Sequence, residues 1–311
     1  MRHKPVALER CIALLTPSIE RNQNPIVVDA TLGLGGHSGA LLERFPHLRI
    51  VALDRDEEAV KIASKALENF KNRITVIHAV YDQMPEILDS LGITNVDGIL
   101  FDLGVSSMQL DTEDRGFSYT RTAPLDMRMD KSSRLTAREV LYSYSPEELI
   151  RILREYGEER FAKRIVGNIV KARISGRLQT TTDLAEIVKE SIPAPARRVG
   201  GNPAKRTFQA LRIEVNQELS ILERAIPQAL NCLRVGGRMV VLSFQSLEDK
   251  IVKRAFADVS ESHTPRGLPV ELDAPRFRLV FRGSESASPA EIEENSRAQS
   301  VRLRAIERVA S

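Results

Sequence analysis

Apolar residues over the first hundred positions follow two rhythms. Ile26-Val27-Val28-Asp29-Ala30, Arg49-Ile50-Val51-Ala52-Leu53-Asp54, Ile74–His78 and Val96–Asp102 are short, almost unbroken apolar runs, the pattern of strands buried on both faces. Between them the spacing becomes helical, over about Ser38–Arg44, Glu57–Phe70 and Glu86–Leu91. Strands of this kind alternating with helices predict a parallel sheet covered on both sides. The rhythm stops between Glu113 and Arg206, where helices are predicted over Glu147–Tyr156, Glu158–Arg173 and Leu184–Ile192, and no strand. Pro193, Pro195, Gly200, Gly201 and Pro203 break the chain beyond the last of these helices. Then Phe208, Leu211, Val215, Leu219, Leu222, Ile226, Leu230 and Leu233 recur three or four apart, predicting one long amphipathic helix kinked at Pro227. Val235-Gly236-Gly237 ends it. Arg238–Phe244 is a fifth strand, Leu247–Phe256 a helix, and Phe277–Phe281 with Val301–Glu307 a terminal hairpin. The pattern predicts a doubly wound, mostly parallel, Rossmann-like α/β fold with an all-helical insertion. Its first part is expected over 1–112, the inserted domain over 113–206 and the second part over 207–311.

Composition narrows the class. Of 311 residues, 42% are hydrophobic and 28% charged, globular values that exclude collagen-like and wholly disordered chains. Cys11 and Cys232 are too few for a disulfide framework or a metal cluster, which fits a reducing, cytoplasmic setting. His3, His47 and His263 stand singly, so no metal is expected. No apolar run reaches the ~20 residues of a membrane span. Polar residues interrupt the stretch after Met1-Arg2-His3-Lys4, so a secretory leader is not expected either. The net charge of +3 conceals an uneven distribution. Residues 160–212 hold 12 Lys/Arg against 3 Asp/Glu, a net of +9, and the remainder is net −6. Such local basicity points to a polyanion. Arg160, Lys163, Arg164, Lys171, Arg173 and Arg177, then Arg197, Arg198, Lys205 and Arg206, are candidates for phosphates of RNA. For the helical part a solvated face is the simpler alternative, because Phe161, Ile165, Val166 and Ile169 make an apolar stripe beside the charges.

Ligands of open parallel sheets bind beyond the carboxyl ends of the strands. After the first strand comes Asp29-Ala30-Thr31-Leu32-Gly33-Leu34-Gly35-Gly36-His37. A dinucleotide fingerprint needs a third glycine where this chain has Ser38, so the loop fits S-adenosylmethionine better than a pyrophosphate; a purely structural turn is the alternative. Asp54, closing the second strand, can accept from ribose hydroxyls, while Asp56 can cap the next helix. Tyr81, after the third strand, is either an adenine wall or core packing. Asp102, closing the fourth, stands where a methyl donor and an acceptor would meet; capping the turn is its alternative role. Leu103-Gly104 comes next, where enzymes that methylate exocyclic amines often carry Pro-Pro. A nicotinamide dehydrogenase would explain the sheet and Asp54 but neither Ser38 nor the basic segment. A non-catalytic RNA-binding ribosome assembly factor would leave the cofactor constellation idle.

Longer strings carry more specific information. Gly35-Gly36-His37-Ser38, Asp54-Arg55-Asp56, Asp97-Gly98-Ile99-Leu100-Phe101-Asp102-Leu103-Gly104-Val105-Ser106-Ser107, Arg115-Gly116-Phe117-Ser118, Pro124-Leu125-Asp126-Met127-Arg128-Met129-Asp130, Tyr156-Gly157-Glu158-Glu159-Arg160-Phe161, Arg206-Thr207-Phe208-Gln209-Ala210-Leu211 and Ser246-Leu247-Glu248-Asp249-Lys250 resemble the bacterial small-subunit ribosomal RNA methyltransferase H family. The likeness runs from about His3 to Val309. It implies a class I S-adenosylmethionine-dependent methyltransferase acting on N4 of a cytidine, position 1402, in the decoding centre of 16S rRNA. It implies cofactor contacts at Gly35, Gly36, His37, Asp54, Tyr81, Asp102 and Gln109; at Tyr81 the aromatic class matches and the flanks do not. The implied partner is 16S rRNA within the small ribosomal subunit, with no membrane and the enzyme a monomer or homodimer. Asp102 is the candidate catalytic residue, it or the backbone carbonyls beside it serving as an acceptor for the N4 hydrogens. Gln245 stands where many members of that family have His, which favours an orienting role over a base. Methylation of another RNA is the alternative within the same class.

Overall fold

A computed structural model describes residues 5–197, 201–262 and 274–311. His3, Arg198 and His263 lie outside the described residues. The chain forms two compact units, one of residues up to 104 together with Leu219–Ser311, the other Val105–Glu218.

The first unit is built on seven strands: β1 (Ile26–Asp29), β2 (Arg49–Asp54), β3 (Ile74–His78), β4 (Val96–Asp102), β5 (Leu233–Ser243), β6 (Phe277–Leu279) and β7 (Arg302–Arg308). Their order is β3-β2-β1-β4-β5-β7-β6. The first five are mutually parallel, and β7 lies antiparallel between β5 and β6. This is the doubly wound, mostly parallel, Rossmann-like sheet that the sequence pattern predicts. The strand order reverses its lateral course between β1 and β4, the switch point where such sheets take ligands. The register brings the site strands to a common edge, with Asp29 opposite Leu100, Asp54 opposite His78 and Asp102 opposite Leu242. Val27, Val28, Ile99, Leu100, Phe101, Val240 and Val241 are fully buried, as their unbroken apolar runs require.

In this unit the first helix and the start of β5 depart from the sequence pattern. A helix over Leu8–Ile19 packs Cys11, Leu14 and Leu15 against the sheet core, and the pattern did not predict it. Its N-cap, Ala7, is left-handed with no capping side chain, and Pro17 lies inside it, so its sequence signals point away from a helix. β5 starts at Leu233, before the glycine pair. Gly236 at φ 83 and a register shift against Val96 and Gly98 absorb the pair as a bulge.

The second unit is helical: Ala137–Ser143, Pro146–Glu155, Ala162–Ser175, Thr181–Ser191 and Lys205–Asn216 surround one apolar core. Ser145 and Thr180 cap their helices by accepting from the N–H of Glu148 and Asp183. The helix predicted from Glu158 begins only at Ala162, because Glu158 is left-handed (φ 49) and the Glu159 carboxylate takes the Phe161 N–H. The single long helix predicted from Phe208 to Leu233 is two. Lys205–Asn216 ends at Gln217, left-handed at φ 51, and Glu218–Cys232 starts at once with Pro227 inside it. Phe208, Leu211 and Val215 belong to the helical core, whereas Leu222, Ile226 and Leu230 belong to the sheet unit. Apolar periodicity survives a one-residue break that carries neither Gly nor Pro, so the pattern reads straight through it. The helical unit thereby spans 105–218, wider at both ends than the 113–206 expected. Among the described residues no helix is long and apolar enough to cross a membrane.

Candidate active site

The loop after β1 is shaped by two close approaches. Gly35 caps the helix Gly36–Arg44 from a left-handed conformation, φ 82, and a Cβ there would come within 2.8 Å of Leu67 Cδ1. At Gly36 a Cβ would run into the Pro5 ring. Gly33 differs: a Cβ would meet nothing nearer than the Thr31 carbonyl at 4.0 Å, so that side of the loop is open. Asp29 braces the loop from beneath. It is buried, accepts the Ser38 hydroxyl at 2.6 Å and the Thr31 N–H at 3.2 Å, and burial raises its pKa to about 6. The Ser38 hydroxyl thus has a partner that a third glycine of a dinucleotide loop would lack.

Asp54 ties this loop to the end of β2. One carboxylate oxygen accepts the Gly33 N–H at 2.7 Å and the other the Asp56 N–H at 2.8 Å. Each oxygen keeps a lone pair, so the carboxylate can still accept from a pair of ribose hydroxyls. Burial raises its pKa. Asp56 is the N-cap of the next helix and accepts the Glu58 N–H at 3.1 Å. Tyr81 stands at the start of a short 3-10 turn after β3, edge-on to Phe101 with centroids 5.4 Å apart.

Asp102 ends β4, with its backbone N–H donating to the Thr31 hydroxyl at 2.6 Å, a bond that ties the glycine loop to the strand end. Burial, then the charges of Asp29 and Glu248, raise its pKa to about 7. His37 is buried in the first turn of its helix with Nδ1 3.7 Å from an Asp102 oxygen. Burial lowers its pKa to about 4, so the ring is neutral at pH 7. If Nε2–H donates to the Val6 carbonyl at 3.2 Å, Nδ1 carries a lone pair toward Asp102. Beside them the chain leaving β5 turns into the helix Ser246–Ser260. Buried Glu248 accepts the N–H groups of Phe244 and Gln245 at 2.9 and 3.1 Å and the Gln245 side-chain amide at 3.3 Å. Gln245 is therefore the N-cap residue, held by a carboxylate that can only accept. Thr31 and Glu248 do not stand out in the sequence as site residues. Thr31 offers no signal beyond its place in the loop, and Glu248 stands three residues after Gln245, a residue that is not among the usual helix caps.

Gly35, Gly36, His37, Asp54, Tyr81 and Asp102 all fall in the sheet unit, at or just beyond the carboxyl ends of β1 to β4. Gln109 falls in the helical unit. It is buried in the helix Ser107–Asp111, its side chain accepting the Ser106 N–H at 3.0 Å. Of the candidate RNA contacts, Arg160, Lys163, Arg164, Lys205 and Arg206 are exposed. Arg206 donates to the Glu158 carbonyl and Arg197 to that of Ile192. Arg177 is paired with Glu190 by two hydrogen bonds, and Arg173 donates to the Tyr144 carbonyl.

The open face at Gly33, the spare acceptor capacity of Asp54 and the partly exposed Asp102 fit S-adenosylmethionine. The Asp54 carboxylate would hold the ribose, Tyr81 would flank the adenine, and the loop backbone with Asp102 would meet the amino-acid end. A model of the MraW methylase family matches residues 1–309. Proteins named ribosomal RNA small subunit methyltransferase H are similar along their whole length. That of Streptomyces avermitilis is 54% identical over 99% of this chain and 97% of its own. Those of Parafrankia sp. and Frankia casuarinae are 55% and 57% identical, over 99% and 97% of this chain and 95% of each of theirs. A glycine loop braced by buried carboxylates on a class I sheet, and a family match across nearly all 311 residues, agree: the chain belongs to the MraW methylase family, and S-adenosylmethionine is its methyl donor.

Proposed function

We propose that this protein methylates N4 of the decoding-centre cytidine at position 1402 of 16S rRNA. The observation that carries the reading is the placing of Asp102, a partly buried carboxylate at the end of β4, tied to the glycine loop through Thr31 and 3.7 Å from the buried His37 ring. The names of the full-length relatives and the basic helical unit support rRNA as the substrate.

Bound S-adenosylmethionine supplies a methyl group on a positively charged sulfur. Cytosine N4 is a weak nucleophile because its lone pair is delocalised into the ring. A fixed acceptor for its hydrogens favours the pyramidal nitrogen that develops on the way to product. Asp102 is that acceptor. Its backbone is anchored by Thr31, and its carboxylate would take the N4 proton as the N–C bond forms and the methyl–sulfur bond of the donor breaks to leave a neutral thioether, because a base near pH 7 is matched to the task. His37, neutral beside it, adds no competing cation. Burial, then the charges of Asp29 and Glu248, keep the carboxylate's proton affinity high. The sheet unit thus aligns donor and acceptor, and the exposed cations of the helical unit hold the RNA by its phosphates. Presentation of the base requires a single strand or an extruded nucleotide.

The test is to map 16S rRNA methylation in cells lacking the gene and to restore it with purified protein and S-adenosylmethionine. Loss and recovery of the N4 methyl at that cytidine is the expected result. Methylation at a different nucleotide or atom overturns the assignment.

A further inference from the structure

The helix Ala162–Ser175 buries one face completely: Ala162, Ile165, Val166, Ile169 and Ala172 enter the core of the helical unit. Its opposite face is a single stripe at helical spacing, Lys163 and Arg164, Gly167, Lys171, Ile174, all exposed. Three observations meet on it. None of the three cations forms an ion pair with a described residue, although Arg151 and Arg177 in the same unit do. Ile174 is 85% exposed. Gly167 sits well inside the helix, where glycine is the least suitable residue after proline, and nothing lies within 4 Å of where its Cβ would be. Packing gives no reason for that glycine.

Resting on the reading of rRNA as substrate, we propose that this stripe is an RNA-backbone docking face, with a phosphate seated directly over the helix at Gly167. Lys163 and Arg164 lie one turn before the gap and Lys171 one turn after it, so a strand crossing there meets cations on both sides. The missing Cβ lets the sugar-phosphate chain approach the helix backbone more closely than any other residue allows. Ile174, one turn beyond Lys171, offers an apolar contact to a ribose or base face. Charge selects the occupant: a face with three unpaired cations and no carboxylate suits a polyanion.

Gly167→Ala separates this reading from a structural one because the two effects have opposite signs. Alanine in an exposed helix interior raises Tm by about 2 °C. On the docking face it raises KM for 16S rRNA on the order of fivefold, with kcat unchanged at saturating RNA. Gly167→Leu raises KM further. A variant that gains stability and keeps the parent KM overturns the proposal. If Lys163→Glu with Arg164→Glu still weakens RNA binding in that case, the broader RNA reading survives. The same rise in KM with the assembled small subunit as substrate supports the proposal, and its absence with both the subunit and naked 16S rRNA overturns it. If the parent enzyme methylates no 16S rRNA, the functional assignment itself has failed.

Discussion

The two units treat charge in opposite ways. At the strand ends of the sheet unit, Asp29, Asp54 and Asp102 are acids drawn out of water, and burial raises the pKa of each. The carboxylates of Asp29 and Asp54 accept from backbone N–H groups and a hydroxyl, that of Asp102 lies beside the neutral His37 ring, and among the described residues no Lys or Arg side chain is bonded to any of them. On the outer face of Ala162–Ser175 the charges are cations left in water. Buried acids tune proton affinity and fix a ligand's orientation; solvated cations attract a polyanion and release its counterions. The sheet unit should therefore answer to pH and to single-atom changes, the helical unit to ionic strength and to total charge.

Three experiments break or sharpen that contrast, starting with the largest effect. Asp102→Ala lowers kcat by about 10²–10³-fold, the size seen when one aligned group is removed from a transition state, and leaves KM for RNA near the parent value. A rise in KM with kcat intact would move Asp102 out of the chemistry. Next, Lys163→Glu combined with Arg164→Glu raises KM for RNA on the order of tenfold at low salt, and the gap to the parent narrows as salt is added. A gap that does not respond to salt would mean that the substitutions act on the fold.

The smallest effect concerns stability without cofactor. The native Asp102 carboxyl holds its proton up to about pH 7, while the unfolded chain releases it from about pH 4. Native Asp102 therefore costs stability that grows as pH rises through this window and is complete above about 7. Asp102→Asn removes the cost. The variant should melt above the parent at about pH 8 by about 3 °C, with the difference closing toward about pH 5. Parallel melting curves at both pH values would show that Asp102 titrates as an ordinary surface acid.

Legibility in the sequence divided along the same line. The five parallel strands, the glycine loop and the acids at the strand ends could be read because buried strands leave unbroken apolar runs and end where polarity returns. Asp54 and Asp102 are each the last residue of such a run. The bonds that hold the loop could not be read. That from Ser38 to Asp29 exists only once the loop folds back over the end of β1, and that from the Asp102 N–H to the Thr31 hydroxyl only once β1 and β4 pair. The helix Leu8–Ile19 stayed hidden because neither its cap nor Pro17 signals it, and the break at Gln217 because nothing in the residue itself requires a left-handed turn. In the helical unit, charge counts located a basic region but gave every cation equal weight. The structure separates Arg173, Arg177, Arg197 and Arg206, each already bonded within the unit, from Lys163, Arg164 and Lys171.

The division of labour between the units can be tested in one assay. Methyl transfer to 16S rRNA is monitored from about pH 5.5 to 8.5 and from about 50 to 200 mM salt, with kcat and KM for RNA resolved at each point. The account predicts that kcat falls on the acid side of about pH 7 and ignores salt, while KM rises steeply with salt and shows no matching pH limb. A kcat that tracks salt, or a KM that carries the pH limb, would contradict it.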